Sequence, residues 1–388
     1  MPKFPRVSDT TSTLSTRVFS QLAARAAAKR EAGEKVFALS VGDTYRPPFP
    51  AARAEAQREK DHPGLHQYAP VQGEPRLLEA IEERLAAIGR PVPRDRIQVM
   101  SGATAGLTVV IDTLFDPGDE VILPSPFWPL IRGIIASRGA VPVQVPFYDR
   151  LDAIDVEATL EAAVTEKTAA IYVNTPHNPT GVVLDDPVID AMVRVAERHD
   201  LWLLTDEAYQ DLWFTETRPR PVWARDDVQH RYVASHTLSK SYGLAGARVG
   251  YTHGPESVMS AIRGVQTFAT YCAPRPMQHA GAIALREAGD WLEVARSEYA
   301  GAGARAAAVL GIPAPRGGTF VLFDATPYFR KGETDAMGFL GRALDAGVLL
   351  TPGASCGDAY GAWVRLCFTS VSPSELDEAL ARLKPVLQ

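Results

Sequence analysis

Between residues 97 and 265 the chain alternates short apolar runs with stretches of helical period, and few folds accommodate that rhythm. The runs at 97–100, 121–123, 141–145, 169–173, 201–205, 231–235 and 247–251 predict strands. The stretches 103–115, 127–138, 186–199 and 256–265 predict helices. Strands separated by helices imply an α/β fold with a mostly parallel sheet covered on both faces. In such sheets chemistry gathers where strands end and helices begin.

The flanks read differently. An alanine-rich helix is expected over 17–33 and a short strand over 36–41, ending at Gly42. After the turn at Gly73, Leu77, Leu78, Ile81, Leu85 and Ile88 recur at helical spacing. Beyond about residue 276 a long helical region runs to Leu310. Strand-like 319–323, a helix near 334–346, strand-like 363–369 and a closing helix from about 373 follow. The change of rhythm predicts a second, smaller α+β domain, and 388 residues suffice for two domains. Residues 1–15, rich in Thr, Ser and Pro, predict an extended arm.

Bulk properties narrow the partners. A formal net charge of -6 favours neither nucleic acid nor an anionic membrane surface. No segment approaches the roughly 20 apolar residues of a membrane span, and the N-terminal Met1–Arg6 introduces no apolar leader. Cys272, Cys356 and Cys367 are too scattered for a metal site or disulfide framework. A cytoplasmic protein without metal is the expectation.

Several polar residues fall where the predicted strands end. Lys240 lies in Ser239-Lys240-Ser241-Tyr242-Gly243-Leu244-Ala245-Gly246-Ala247-Arg248. A lysine among small residues and hydroxyls, followed by an arginine, suits an amine that condenses with an aldehyde beside an anion. An apolar run delivers Asp206, with Tyr209 three residues on, in Leu203-Leu204-Thr205-Asp206-Glu207-Ala208-Tyr209. Asn174-Thr175-Pro176-His177-Asn178-Pro179-Thr180-Gly181 is a loop stiffened by two prolines that can aim the Asn178 amide. Ser101-Gly102-Ala103-Thr104 opens a predicted helix, whose free N–H groups can face an anion. Arg365 stands in the apolar run Trp363-Val364-Arg365-Leu366-Cys367, where burying it unpaired is costly. Capture of a carboxylate is a reason to keep it.

Together, in this order, these blocks resemble the class I/II aminotransferases, the fold-type I enzymes dependent on pyridoxal 5'-phosphate. The resemblance spans roughly residues 15–385 and implies each role residue by residue. Lys240 would hold the cofactor as a Schiff base and Asp206 would pair with its pyridine nitrogen. Tyr209 and Asn178 would reach the phenolic oxygen. Ala103, Thr104, Thr237, Ser239 and Arg248 would hold the phosphate. Trp128 would stack on the ring, with Phe127 one residue away as the alternative, and Ala208 would fill the opposite face. Gly42, Asn178 and Arg365 would receive the substrate carboxylate. Tyr68, in His66-Gln67-Tyr68-Ala69-Pro70, would reach the phosphate of a neighbouring subunit, which implies a homodimer with shared sites. The family also implies that residues 16–45 fold with 277–388, leaving 46–276 as the cofactor-binding domain.

The implied reaction moves an amino group from an L-amino acid to a 2-oxo acid, with pyridoxamine phosphate between the two halves. The motifs constrain cofactor more than reaction. A carbon–sulfur β-lyase or a cyclising enzyme is the second reading, and a non-catalytic relative the third. Asp43-Thr44-Tyr45 replaces a more usual proline after Gly42, and Cys356 stands where the family often has phenylalanine. Gln266-Thr267-Phe268-Ala269-Thr270-Tyr271 lacks the arginine that dicarboxylate specialists use, and Arg275 is assigned a surface or interface role. With Phe268, Tyr271 and Trp128, that favours neutral or aromatic donors. Glu207 and His177 are read as structural.

Overall fold

The computed structural model describes residues 20–388, so the expected arm at 1–15 lies outside the described residues. In chain order the first half runs α1 (Ser20–Glu31), β1 (Phe37–Ala38), α2 (Pro75–Ile88), β2 (Ile97–Met100), α3 (Ala103–Leu114), β3 (Glu120–Ser125), α4 (Pro129–Ser137) and β4 (Val141–Pro146). Next come α5 (Val156–Glu161), β5 (Thr168–Asn174), α6 (Asp186–Arg198), β6 (Trp202–Asp206), β7 (Tyr232–Thr237), β8 (Gly250–His253) and α7 (Glu256–Thr270). The remainder is α8 (Arg275–Glu287), α9 (Gly289–Leu310), β9 (Phe320–Asp324), α10 (Met337–Asp345), β10 (Val348–Leu349), β11 (Thr351–Pro352), β12 (Trp363–Cys367) and α11 (Pro373–Leu383).

Seven strands form the large sheet, in the order β2-β8-β7-β6-β5-β3-β4. Strand β8 runs antiparallel to both neighbours and every other pairing is parallel. Strands β3, β5, β6 and β7 are buried along most of their length, as expected where helices cover both faces. Their register aligns the carboxyl ends: Asn174 sits opposite Asp206, and Asp206 opposite Ser235.

A second, antiparallel sheet has the order β11-β12-β9, and β1 pairs in parallel with β10. The segment after β1 is tied to β12 and the turn following it. Cys367 N–H donates to Leu39 O at 2.8 Å, and Tyr45 N–H to Thr369 O at 2.7 Å. Gly42 is thereby brought against Phe320, whose ring a methyl group at that position would strike.

Three sequence expectations are revised. The strand expected over 247–251 begins only at Gly250, because Ala245–Ala247 form a 3-10 turn and Arg248 adopts a left-handed φ of 54°. The helical region after 276 is two helices, broken at Ala288 between α8 and α9. Helix α7 continues to Thr270, where Gln266 Nε2 reaches Thr270 Oγ1 at 2.7 Å.

The loop leaving β6 is clamped by charge. Asp211, almost wholly buried, accepts from Arg84 on α2 and, at 3.0 Å, from Arg218. Removing the carboxylate strands two guanidinium groups that remain about one-fifth exposed. Partial solvation reduces the penalty below that of a fully buried pair. Asp211→Ala is therefore expected to destabilise the protein by about 2 kcal/mol. Urea denaturation midpoints of the two proteins check this.

Candidate active site

The carboxyl ends of β5, β6 and β7 open into one cavity, and Asp206 is a buried charge on its wall. Tyr172 on β5 donates its hydroxyl to Asp206 Oδ2 at 2.6 Å, and the Ala208 N–H reaches Oδ1 at 3.1 Å. Asn174 Nδ2 holds the Asp206 carbonyl at 2.8 Å. Burial raises the carboxyl's pKa, and the Tyr172 and Ala208 hydrogen bonds oppose that shift. The result is an acid aimed at whatever cationic or donor group enters the cavity.

Above it, polar groups are linked in sequence. Asn174 Oδ1 accepts the Asn178 N–H at 2.9 Å, which sets the Asn178 side chain. That amide donates to Tyr209 Oη at 3.3 Å and accepts from Arg365 at 3.1 Å. Burial pushes the Tyr209 phenol up, so it remains protonated in the neutral range. Arg365 also donates to Ser40 O at 2.9 Å, and its guanidinium lies 4.2 Å from the Phe320 ring centroid. It has no ion-pair partner among the described residues, and its buried Nε has no hydrogen-bond partner.

The opposite corner suits an anion. Helix α3 begins at Ala103 with no side-chain cap, leaving first-turn N–H groups free. Gly102 has φ 86°, and a methyl there would lie 2.8 Å from an Arg248 nitrogen, so the turn admits only glycine this close to the guanidinium. Arg248 donates to the Ala245 and Ser101 carbonyls and is left facing the cavity. Thr237 and Ser239 hydroxyls meet at 2.8 Å beside it. A helix terminus, a guanidinium and two hydroxyls form the donor set a phosphate requires.

Between these corners stands Lys240, whose Nζ donates to Gly42 O. Burial lowers its pKa from the ordinary lysine value, while the neighbouring Asp43 carboxylate opposes the shift. The residues present therefore fit pyridoxal 5'-phosphate: phosphate donors at one end, a buried carboxylate at the other and an amine between.

Ala103, Thr104, Trp128, Asn178, Asp206 and Ala208 all border this space. So do Tyr209, Thr237, Ser239, Lys240, Arg248, Gly42 and Arg365. Phe127 is instead wholly buried in the core, which distinguishes it from Trp128. Tyr68 lies elsewhere, 79% exposed, with its ring edge-on to Tyr271. Arg275 faces the concavity near Tyr68 rather than the Lys240 cavity, and pairs with Glu74 at 2.6 Å.

His177 is buried, stacked on Tyr148 and bonded to Thr180 Oγ1 at 2.7 Å, away from the cavity wall. Glu207 is buried beneath the strand end, where burial pushes its carboxyl up to about 8. Cys356 is buried, and its carbonyl accepts the Phe127 N–H.

The sequence reading missed Val41, Phe320 and Tyr172. Val41 and Phe320 reach the cavity because the segment after β1 is hydrogen-bonded to β12 and β9 pairs with β12, which no local pattern encodes. Tyr172 carried a weak signal: it is the one hydroxyl in the apolar run Ala169-Ala170-Ile171-Tyr172-Val173.

Known proteins agree with this architecture. The family model for aminotransferase class I and II matches residues 34–383. The arginine–pyruvate transaminase of Pseudomonas aeruginosa is 32% identical over 88% of this chain and 88% of its own length. The aspartate/prephenate aminotransferase of Thermus thermophilus is 32% identical over 94% of each. Among solved structures, a double mutant of Thermus thermophilus aspartate aminotransferase superposes with a TM-score of 0.90 at 28% identity, covering 99% of this chain and all of that one. With that match along nearly the whole chain, the protein belongs to the class I and II aminotransferases and is a pyridoxal phosphate-dependent enzyme.

Proposed function

We propose that the Lys240 cavity transfers an amino group from a neutral or aromatic L-amino acid to a 2-oxo acid. The observation that carries the reading is Arg365: buried, without an ion-pair partner among the described residues, and turned into the lysine cavity with its Nε unsatisfied. An α-carboxylate supplies the missing partner. Val41, Trp128, Ala208 and Phe320 make much of the remaining wall apolar, which favours a side chain without charge.

Bound there, pyridoxal 5'-phosphate supplies an aldehyde for the donor's nitrogen and a sink for the electrons left when the α-proton departs. The chain does the rest. The first turn of α3, Thr237, Ser239 and Arg248 hold the phosphate. Asp206 holds a proton on the ring nitrogen. Asn178 and Tyr209 donate to the phenolic oxygen, and Trp128 and Ala208 confine the ring. Arg365 and the Gly42 backbone would hold the donor's carboxylate in the cavity that Lys240 borders. Lys240 would accept the α-proton at Nζ, its burial keeping the amine available as a base.

Tyr68, Phe268 (94% exposed) and Tyr271 expose aromatic surface near the second concavity. We assign this region to a homodimer in which Tyr68 reaches the partner's cavity. Sedimentation equilibrium should give twice the chain mass, and a monomer of full activity rejects the assignment.

Single amino acids added to the purified holoenzyme should each be assayed for 2-oxo acid and ammonia. A neutral or aromatic donor should yield oxo acid stoichiometric with enzyme and no free ammonia. Sustained ammonia release without an acceptor would make the enzyme a lyase. Arg365→Leu should lower kcat/KM for the donor by ~10–100-fold.

The ionisation of Lys240 gives a second test. Uptake of pyridoxal 5'-phosphate by the apoprotein needs the free amine, so its rate should rise with pH through the lysine's lowered pKa. Asp43 favours the ammonium form, and Asp43→Asn should therefore move that rise to lower pH. Stopped-flow absorbance across the pH range reads the shift.

A further inference from the structure

Strand β5 places an unexpected group behind the site. Tyr172 is paired in register with Leu204, and Asn174 with Asp206, so Tyr172 and Asp206 are diagonal neighbours on adjacent strands. A tyrosine is long enough to span that diagonal, and both side chains are buried. The 2.6 Å separation of Tyr172 Oη from Asp206 Oδ2 falls in the range of a hydroxyl donating to an anion. With Ala208 N–H on Oδ1, each carboxylate oxygen has one fixed donor, which sets the plane of the group.

We propose that Tyr172 is a positioning residue of the aminotransferase site, holding the Asp206 carboxylate as an oriented anion for the protonated ring nitrogen of the cofactor. The proposal rests on the placement of Asp206 given above. A carboxyl buried this deeply tends to take up a proton, and a neutral acid cannot stabilise a cationic ring. The Tyr172 hydroxyl opposes that uptake. Burial and the nearby Asp206 charge push the phenol well above its ordinary range, so it stays a donor throughout the working pH range.

Tyr148 provides the contrast. It is equally buried, but its hydroxyl meets the Asn174 carbonyl at 3.1 Å and the Asn174 N–H at 3.2 Å, not the carboxylate. Its loss removes a buried hydroxyl without touching Asp206.

The test is the dissociation constant of pyridoxal 5'-phosphate, measured by absorbance from acid to neutral pH. Tyr172→Phe should weaken retention about tenfold. Without its donor Asp206 takes up a proton more readily, so the acid limb of retention should move to higher pH. Tyr148→Phe should leave the limb in place. Site-specific 3-fluorotyrosine at position 172, a stronger donor of nearly the same shape, should move the limb to lower pH and tests the idea even if the phenylalanine variant misfolds. In Asp206→Asn, which cannot titrate, Tyr172→Phe should add no shift. Limbs that coincide for wild type, Tyr172→Phe and the fluorotyrosine protein would overturn the proposal, as would an equal shift in Tyr148→Phe. Undiminished retention by Asp206→Asn would instead reject the placement of Asp206 itself.

Discussion

Hydrogen bonding between β5, β6 and β7 sets Asn174, Asp206 and Ser235 level at the carboxyl edge of the large sheet. The rest of the site depends on that parallel register. A slip of one residue on β6 would turn Asp206 to the other face, away from Tyr172 and the cavity. Because the strands are buried on both sides, the ladder and the apolar packing specify the same register. The edge is consequently rigid enough to hold a charged group in an otherwise apolar setting.

Rigidity at that edge is met by charge arranged around the cavity. Cationic and N–H donors gather at the α3 end, Asp206 lies at the far end, and Arg365 approaches from β12. Few of these groups cancel one another within the chain. Lys240 leans on a backbone carbonyl, Arg248 on two carbonyls, and Arg365 on carbonyl, amide and hydroxyl oxygens. Cations left unneutralised around a cavity favour anionic ligands, which bind without displacing an internal ion pair.

The smaller sheet contributes through contacts remote in sequence. Gly42 and Val41 reach the cavity because the chain after β1 is hydrogen-bonded to β12 and the turn following it, more than three hundred residues away. Phe320 closes the space from β9, beneath the Arg365 guanidinium. These distant segments meet at the cavity wall, and relatives with different printed substrates, arginine–pyruvate and aspartate/prephenate, match along most of this chain.

Local pattern sufficed for a good part of this protein. Apolar runs and helical periods located the strands and helices of the large sheet, because burial on both faces writes itself into composition. Lys240, Asp206, Asn178 and Arg248 were legible for a different reason. Each stands in a short segment whose prolines, glycines or hydroxyls serve the group beside it. Pattern failed where the backbone bends to serve the site, as at the left-handed Arg248 that delays β8. It also failed where a residue acts across strands: Tyr172 resembles any buried aromatic until β6 is laid beside β5. The sequence by itself determined the fold class and the cofactor chemistry and pointed to residues that the structure gathers around one cavity, since those are properties of local spacing and functional groups. Tertiary structure alone decided that Phe320 and Val41 wall the cavity and that a tyrosine hydroxyl meets Asp206, because such contacts arise from register and packing between segments that no local pattern connects.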